Sequence, residues 1–438
     1  MTAVVAEMLA AKIIERRARV VVVGLGYIGL PLLAELARAG FDAAGFDTDR
    51  ARIAGIVAGR SLVEGVDASN LAELAKLRKI KLDSDPKIFA GADVVVIAVP
   101  TPFTESGSPN TAHLDAAVSD VLGHAHPGML VVLESTSYPG TTREIAARIS
   151  AAGFSVGENI FVAHSPERID PGNASYGLKN TARVVGGITP ECTRMTLAFY
   201  KQFVDEVLAV SSADTAEVVK LFENIYRAVN IGLVNEIAVA SKTLGVDIWE
   251  VVEAAASKPF GFMKFLPGPG VGGPCVPAAP RAMSWKMGQF GDSPRFMNLA
   301  IDANRQMPAH VAGLLVEALA EDGVAPAGAR VLVAGVAYKP DVADLRGSPA
   351  LELFDLFLER KMDVFYIDSH VASFRHAGRN FESIAKNAAM SGYDAVVLVT
   401  AHTDFDVQRL VREAKLVIDT RNATGPYLAT ATARLVRL

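Results

Sequence analysis

Apolar and polar positions follow two rhythms along this chain. Residues 19–49, RVVVVGLGYIGLPLLAELARAGFDAAGFDTD, pass from a block of β-branched residues through a glycine turn into a helical pattern, then into a second short apolar run closed by acids. That order predicts strand, helix and strand, a complete βαβ unit. Further strand-length runs follow at DVVVIAVP (93–100), MLVVLEST (129–136), NIFVAHSP (159–166) and RVVGG (183–187), spaced by helix-length segments. Such alternation implies a parallel, doubly wound sheet. From 212 to 256 the rhythm lengthens: Val218, Phe222, Ile225, Val229, Leu233 and Ile237 recur at three or four residues, which predicts long helix. Glycine and proline break it at 259–280, and AIDANRQMPAHVAGLLVEALAED resumes it. After GVAPAGA (323–329) strands return at RVLVAGVAY (330–338), DVFYID (363–368), AVVLVT (395–400) and LVIDTRN (416–422). The expected class is α/β, with doubly wound domains at 1–211 and 323–438 joined by a mostly helical domain at 212–322.

Composition narrows the partners. Half of the 438 residues are apolar, enough for two or three domains with real cores. A formal net charge of −5, without long like-charge blocks, leaves no basic footprint for nucleic acid and no polybasic membrane patch. A small or anionic metabolite is the expected partner. Cys192 and Cys275 are far apart and form neither a disulfide framework nor a zinc site, so no metal is expected and a reducing cytoplasm is the default compartment. The opening MTAVVAEMLAAKIIERRAR is interrupted by Glu7, Lys12 and Glu15, unlike a signal peptide, and its Val4, Met8 and Ala11 spacing suits a short amphipathic helix.

Candidate chemistry clusters at strand ends and in one glycine-rich loop. Gly24, Gly26 and Gly29 form G-x-G-x-x-G after a predicted strand and at the start of a predicted helix, where a pyrophosphate approaches the backbone and the helix N-terminus faces it. Asp47, 18 residues beyond Gly29, ends the second strand; a carboxylate there accepts ribose hydroxyls and repels a 2′-phosphate, favouring NAD over NADP, with Arg50 able to moderate that preference. In PGPGVGGPCVP, Cys275 is either a thiolate held by nearby N–H groups or a small inert residue in a turn. Lys220 and Asn224, four apart, share a helix face that either stabilises a developing oxyanion or is simply solvated. Glu167 in HSPER is a general base or the ion-pair partner of Arg168; Thr101 and Thr136 end strands and either bond a cofactor or water or finish turns; His164 reads as structural.

Together, VPTP, ESTSYPGTT, HSPERIDPG, VKLFENIYRAVNIGLVNE, PGPGVGGPC, AYKPDVADLRGSP and DTRN, in this order over nearly the whole chain, resemble the UDP-glucose/GDP-mannose dehydrogenase family. Its members use NAD to oxidise the C6 alcohol of a sugar nucleotide to a carboxylate. The resemblance implies an N-terminal Rossmann domain for NAD, a central helical domain that makes a homodimer, and a C-terminal Rossmann-like domain for the UDP part. It implies that Cys275 is the catalytic thiol, that Lys220 and Asn224 stabilise oxyanions, that Glu167 serves thioester hydrolysis, and that Thr136 positions water or cofactor. The implied cofactor residues are Gly24, Gly26, Tyr27, Ile28, Gly29, Asp47, Arg52, Pro100, Thr101 and Thr136. The implied substrate residues are Glu167, Arg168, Lys220, Asn224, Lys264, Gly272, Gly273, Tyr338, Lys339 and Arg421. PGPGVGG and SPER resemble the branch acting on UDP-N-acetylhexosamines. The chain departs from that branch after Gly273: Pro274 replaces a histidine, Ala279 an aspartate, Arg281 and Ala282 aromatics, and Gly347 stands where a glutamate is usual. An alanine neither accepts a hydrogen bond nor holds charge, so an altered or arrested oxidation and a non-catalytic, nucleotide-sugar-binding paralogue are the alternatives.

Overall fold

The computed structural model describes residues 2–60, 80–104, 108–170, 173 and 175–438; positions 171 and 172, which end the HSPERIDPG motif, lie outside the described residues. The chain divides into two compact units, Met1–Glu223 and Asn224–Leu438.

In the first unit, helix α1 (Thr2–Ile14) precedes strands β1 (Arg19–Val23), β2 (Asp42–Phe46), β3 (Ile80–Asp83), β4 (Val94–Ile97), β5 (Leu130–Leu133), β6 (Phe161–His164), β7 (Arg183–Gly187) and β8 (Val207–Ala209). They form one sheet in the order β3-β2-β1-β4-β5-β6-β7-β8. The two-residue period of β1 sends Val20 and Val22 into one core, with Leu30, Leu33 and Leu36 of α2 (Gly29–Ala39), and Val21 and Val23 into the other. That second core is closed by Val118 of α4 (Ala112–Leu122) and Ile145 of α5 (Thr141–Ala151); α3 (Arg50–Val57) follows β2. A sheet covered on both faces explains why its strands read as unbroken apolar runs. One pair departs from parallel order: Ala163 faces Gly187 and His164 faces Gly186 in antiparallel register. The described residues between β6 and β7 contain no helix to make the crossover that a parallel pair needs.

The amphipathic reading of α1 needs one correction. Val4 and Met8 are each 60% exposed, and the inner face is Ala6, Leu9, Ala10 and Ile13, packed in the same core as Phe199 of α6 (Pro190–Tyr200).

The long helical stretch is two helices, α7 (Ala213–Leu244) and α8 (Ile248–Ala256). Gly245 takes a positive φ after α7, and Asp247 caps α8 by accepting the Trp249 N–H at 2.9 Å. On α7 the fold buries Leu221, Asn224, Ile225, Ala228, Asn235 and Ala238, whereas Phe222 and Leu233 are 65% and 58% exposed.

In the second unit, α9 (Ala278–Gly288) and α10 (Arg295–Glu321) lead into β9 (Arg330–Ala334), α11 (Pro349–Glu359) and β10 (Asp363–Ile367). A β-hairpin, β11 (Ser373–His376) with β12 (Arg379–Glu382), precedes β13 (Ala395–Leu398), α12 (Val407–Glu413), β14 (Leu416–Asp419) and β15 (Arg434–Arg437). The sheet order β10-β9-β13-β14-β15, all parallel, is a second doubly wound arrangement. Among the described residues no helix is long and apolar enough to cross a membrane.

Candidate active site

Ligands of doubly wound sheets bind beyond the carboxyl ends of the strands, where the strand order reverses. In the first unit that point lies between β1 and β4. A Cβ on Gly29 would lie 1.9 Å from the Gly24 carbonyl oxygen, so α2 starts hard against the turn. A Cβ on Gly26 would meet nothing within 4 Å, which leaves that backbone open at the helix N-terminus, as a pyrophosphate requires. Tyr27 and Ile28 complete the turn and are half-buried. Asp47 is buried; its Oδ2 accepts the Leu25 N–H and the Arg52 guanidinium, both at 2.8 Å, and its Oδ1 accepts the Asp49 N–H at 2.9 Å. Arg52, rather than the exposed Arg50, therefore faces the acid. At the ends of β4 and β5, the Thr101 hydroxyl donates to the Thr136 carbonyl, tying the two loops together, and Pro100 is exposed beside them. These residues fit NAD.

Beyond β6 lies a buried ionic cluster. Glu167 Oε1 accepts the N–H groups of Arg168 and Ile169, both at 2.6 Å, and its Oε2 accepts Arg183 Nη1 at 2.7 Å. Arg183 Nη2 donates to Glu134 Oε1, which also accepts the Tyr200 hydroxyl. Burial pushes the Glu167 pKa up, but Arg183, the Ile169 N–H and Lys220 outweigh it and hold the carboxyl below its ordinary range. Glu134 goes the other way: burial, with the Glu167 charge adding to it, raises its pKa despite Arg183. Burial, then the Arg183 charge, pushes His164 down to about 3, so it is a neutral structural ring. The Arg168 guanidinium is held by Glu223 at 2.7 Å and by the Ala182 carbonyl at 2.6 Å.

Glu217 fixes the start of α7. It accepts the Gly140 N–H at 2.6 Å and the Thr142 N–H and hydroxyl at 2.8 and 2.7 Å, placing a carboxylate at the N-terminus of α5. Lys220 follows three residues later, close enough for its charge to act on Glu167.

In the second unit, Asn224 is 4% exposed and its Nδ2 has no hydrogen-bond partner among the described residues. A buried amide donor without an acceptor is costly unless a ligand supplies one. The glycine-rich loop is anchored at both ends. Asn235 accepts the Gly268 N–H at 2.9 Å and donates to Asn304 at 3.0 Å, and Gly273 N–H donates to the Arg346 carbonyl at 2.9 Å. Half-buried Cys275 follows, and its carbonyl accepts the Ala279 N–H at 3.2 Å as α9 begins. Tyr338 lies against the loop: a Cβ on Gly272 would be 2.7 Å from Tyr338 Cβ. Lys339 is half-buried, whereas Lys264 is exposed and paired with Glu253. Arg421 donates through Nε to the Val399 carbonyl at 2.8 Å; burial pushes it down to about 10, so it stays charged at neutral pH. Ala279 is fully buried, and Gly347 has a φ of 61° that would strain the glutamate usual there.

Sequence reasoning missed Glu134, Arg183, Tyr200, Glu217, Asn235 and Asn304. It also missed Asp368, which ends β10 as Asp47 ends β2 and accepts the Val336 N–H at 2.8 Å, His402 facing it at 3.0 Å. Ligand atoms of Asp341, His370 and His402 lie within 4.8 Å of one another. His402 Nδ1, however, already accepts the Asp341 N–H at 2.9 Å, and its Nε2 faces Asp368, so both ring nitrogens are committed.

Three models of one family match consecutive parts of the chain: the NAD binding domain of the UDP-glucose/GDP-mannose dehydrogenase family over residues 18–204, its central domain over 214–306 and its UDP binding domain over 332–426. A UDP-N-acetyl-D-mannosamine dehydrogenase of Pyrococcus horikoshii is 34% identical over 413 residues, covering 92% of this chain and 95% of the relative. An NDP-N-acetyl-D-galactosaminuronic acid dehydrogenase of Ralstonia nicotianae is 33% identical, with 91% and 95% covered. A solved structure of UDP-D-ManNAc dehydrogenase from Pyrococcus horikoshii superposes with a TM-score of 0.86 at 32% identity, covering 95% of this chain and 99% of that one. With an N-terminal Rossmann domain for NAD, a central helical domain and a C-terminal UDP-binding domain, the chain is an NAD-dependent nucleotide-sugar dehydrogenase and belongs to the UDP-glucose/GDP-mannose dehydrogenase family.

Proposed function

We propose that this enzyme oxidises the C6 alcohol of a UDP-N-acetylhexosamine to the uronate through a covalent intermediate on Cys275. The two relatives named for N-acetylhexosamine nucleotides and the PGPGVGG loop support that substrate class. Two NAD molecules, bound in succession, would supply one hydride acceptor for each oxidation. A water held by Lys220 and Asn224 takes the hydroxyl proton and passes it to solvent, and the Lys220 ammonium with Asn224 Nδ2 stabilises the alkoxide as C6 loses hydride. The Cys275 thiolate adds to the aldehyde carbonyl; loss of a second hydride from this thiohemiacetal leaves a thioester. Water then gives a proton to Glu167, its oxygen adds to the acyl carbon, the C–S bond breaks and the thiolate departs. Thr136 and Thr101 hold the cofactor side, and Lys339 and Arg421 bring positive charge to the nucleotide.

The observation that carries this reading is the buried amide of Asn224, whose Nδ2 has no acceptor among the described residues. It supports an oxyanion donor although Ala279 has no carboxylate. Exposed Phe222, Leu233 and Ile237 on α7 support a homodimer, and two cysteines that form no disulfide support a cytoplasmic enzyme. The working domain limits are 1–211, 212–322 and 323–438. The test is a panel of UDP-N-acetylglucosamine, UDP-N-acetylmannosamine, UDP-N-acetylgalactosamine and UDP-glucose with NAD, the products identified by mass. An N-acetylhexosaminuronate formed in preference to glucuronate is expected; preference for UDP-glucose would refute the substrate class.

A further inference from the structure

The reaction as written leaves a buried acid unused. Glu134 is wholly buried at the end of β5, and its two oxygens are unequal: Oε1 accepts both Arg183 Nη2 and the Tyr200 hydroxyl, while Oε2 has no partner among the described residues. Arg183 is as deeply buried and its Nε has no partner either. Its orientation is set by three contacts: Glu167 on Nη1, Glu134 on Nη2, and the Tyr200 ring, whose centroid lies 4.9 Å from the guanidinium carbon. Glu167 in turn has one oxygen tied to the N–H groups of its own loop and the other to Arg183.

We propose that Glu134 is a positioning residue for thioester hydrolysis, acting through Arg183 to aim the Glu167 carboxylate. The inference rests on the reading of Glu167 as the group that takes the proton from water. A guanidinium this deep is not rehydrated when it loses a partner, so it moves toward another acceptor. With Glu134 and Tyr200 in place it stays, and Glu167 keeps one orientation with the second lone pair of Oε2 for water. The groups facing the cluster are His164, neutral, and Lys220, whose charge favours ionised Glu167. Of the two acids, Glu167 has three donors and is held below its ordinary range, whereas burial and the Glu167 charge push Glu134 up. Glutamine is thus the conservative replacement for Glu134, since it retains the Oε1 acceptor at full reach. Aspartate falls about one bond short.

The experiment is a single turnover of full-length Glu134→Gln and Glu134→Asp enzymes with NAD and the UDP-N-acetylhexosamine they turn over best. It follows reduced nicotinamide formation and, after acid quench, the mass of the acyl adduct on Cys275. Glu134→Asp is expected to accumulate the adduct, with hydrolysis slowed about 10²-fold, the penalty of misplacing a catalytic group by about 1 Å, and with the first oxidation unchanged. Glu134→Gln is expected to hydrolyse it within about threefold of the parent, since it keeps the acceptor. Wild-type hydrolysis by Glu134→Asp, equal losses in both variants, or oxidation and hydrolysis falling together would each overturn the proposal. If Glu134→Asp does not fold, Tyr200→Phe decides: a selective slowing of hydrolysis supports the proposal, and none refutes it. Glu167→Gln separates the premise. If that variant hydrolyses the adduct normally, the Glu167 reading fails; if it is blocked while Glu134→Asp is not, only the Glu134 inference fails.

Discussion

Replacing Gly273 by alanine tests how tightly the cysteine loop is built. Gly273 has a φ of 84°, a region that costs a residue with a Cβ about 1–2 kcal/mol. The new methyl would lie 2.8 Å from Tyr338 Cε2 and 3.1 Å from its Cδ2. Carbons rest at about 3.5–4.0 Å, so ring or loop must give by at least about 0.7 Å. Neither is free to do so cheaply: Gly273 N–H is bonded to Arg346 and Tyr338 N–H to Asp344, both at 2.9 Å. Strain and crowding together cost about 2–4 kcal/mol, which in a unit of this size lowers its melting temperature by roughly 5–15 °C. Since Cys275 is two residues away, the same displacement should slow thiol capture and the second oxidation by about 10- to 100-fold. Thermal unfolding gives the first quantity, and stopped-flow reading of reduced nicotinamide against aldehyde release gives the second. A Gly273→Ala enzyme with parental melting temperature and parental rates would refute the reasoning.

Cys275→Ser should bind the nucleotide sugar but form no uronate, as read by calorimetry and product mass; full acid formation would exclude a covalent thioester. Asn224→Ala should slow the first oxidation about 10²-fold with little change in substrate affinity, the signature of a lost oxyanion donor, and an equal rise in KM alone would contradict it. His164 stays neutral in the folded state down to about 3, while the unfolded chain protonates it near 6.5. The unfolded state thus binds more protons between these values, so its contribution is complete above about 6.5 and is lost as pH falls. Urea unfolding at pH 7 and 5 should show His164→Asn losing about 2 kcal/mol less than the parent over this interval, and equal losses would refute it. Asp47→Asn should weaken NAD and narrow the preference over NADP, measured as the ratio of the two kcat/KM values; an unchanged ratio would remove Asp47 from cofactor choice.

What the sequence disclosed and what it hid divide along physical lines. The βαβ unit and the glycine fingerprint followed by Asp47 are local, and local patterns are legible. The Glu134–Arg183–Tyr200 cluster is not: Arg183 and Tyr200 lie 49 and 66 residues from Glu134, and each of the three stands at the edge of an apolar or aromatic run. Asn235 and Asn304 look like ordinary helix residues until the fold brings them together at 3.0 Å. Periodicity found the apolar stripe of α7 but not which face the fold would bury, because Ala228, Asn235 and Ala238 pack inside while Phe222 and Leu233 face out. The same ambiguity inverted the reading of α1.

The central claim is a pair of oxidations on one carbon with Cys275 holding the substrate between them. The most direct test is the number of reduced nicotinamides formed per UDP-N-acetylhexosamine consumed by the purified enzyme. Two are expected, with the uronate as the sole sugar product. One equivalent, with aldehyde released, would contradict the claim and would mean that the thiol does not carry the second step.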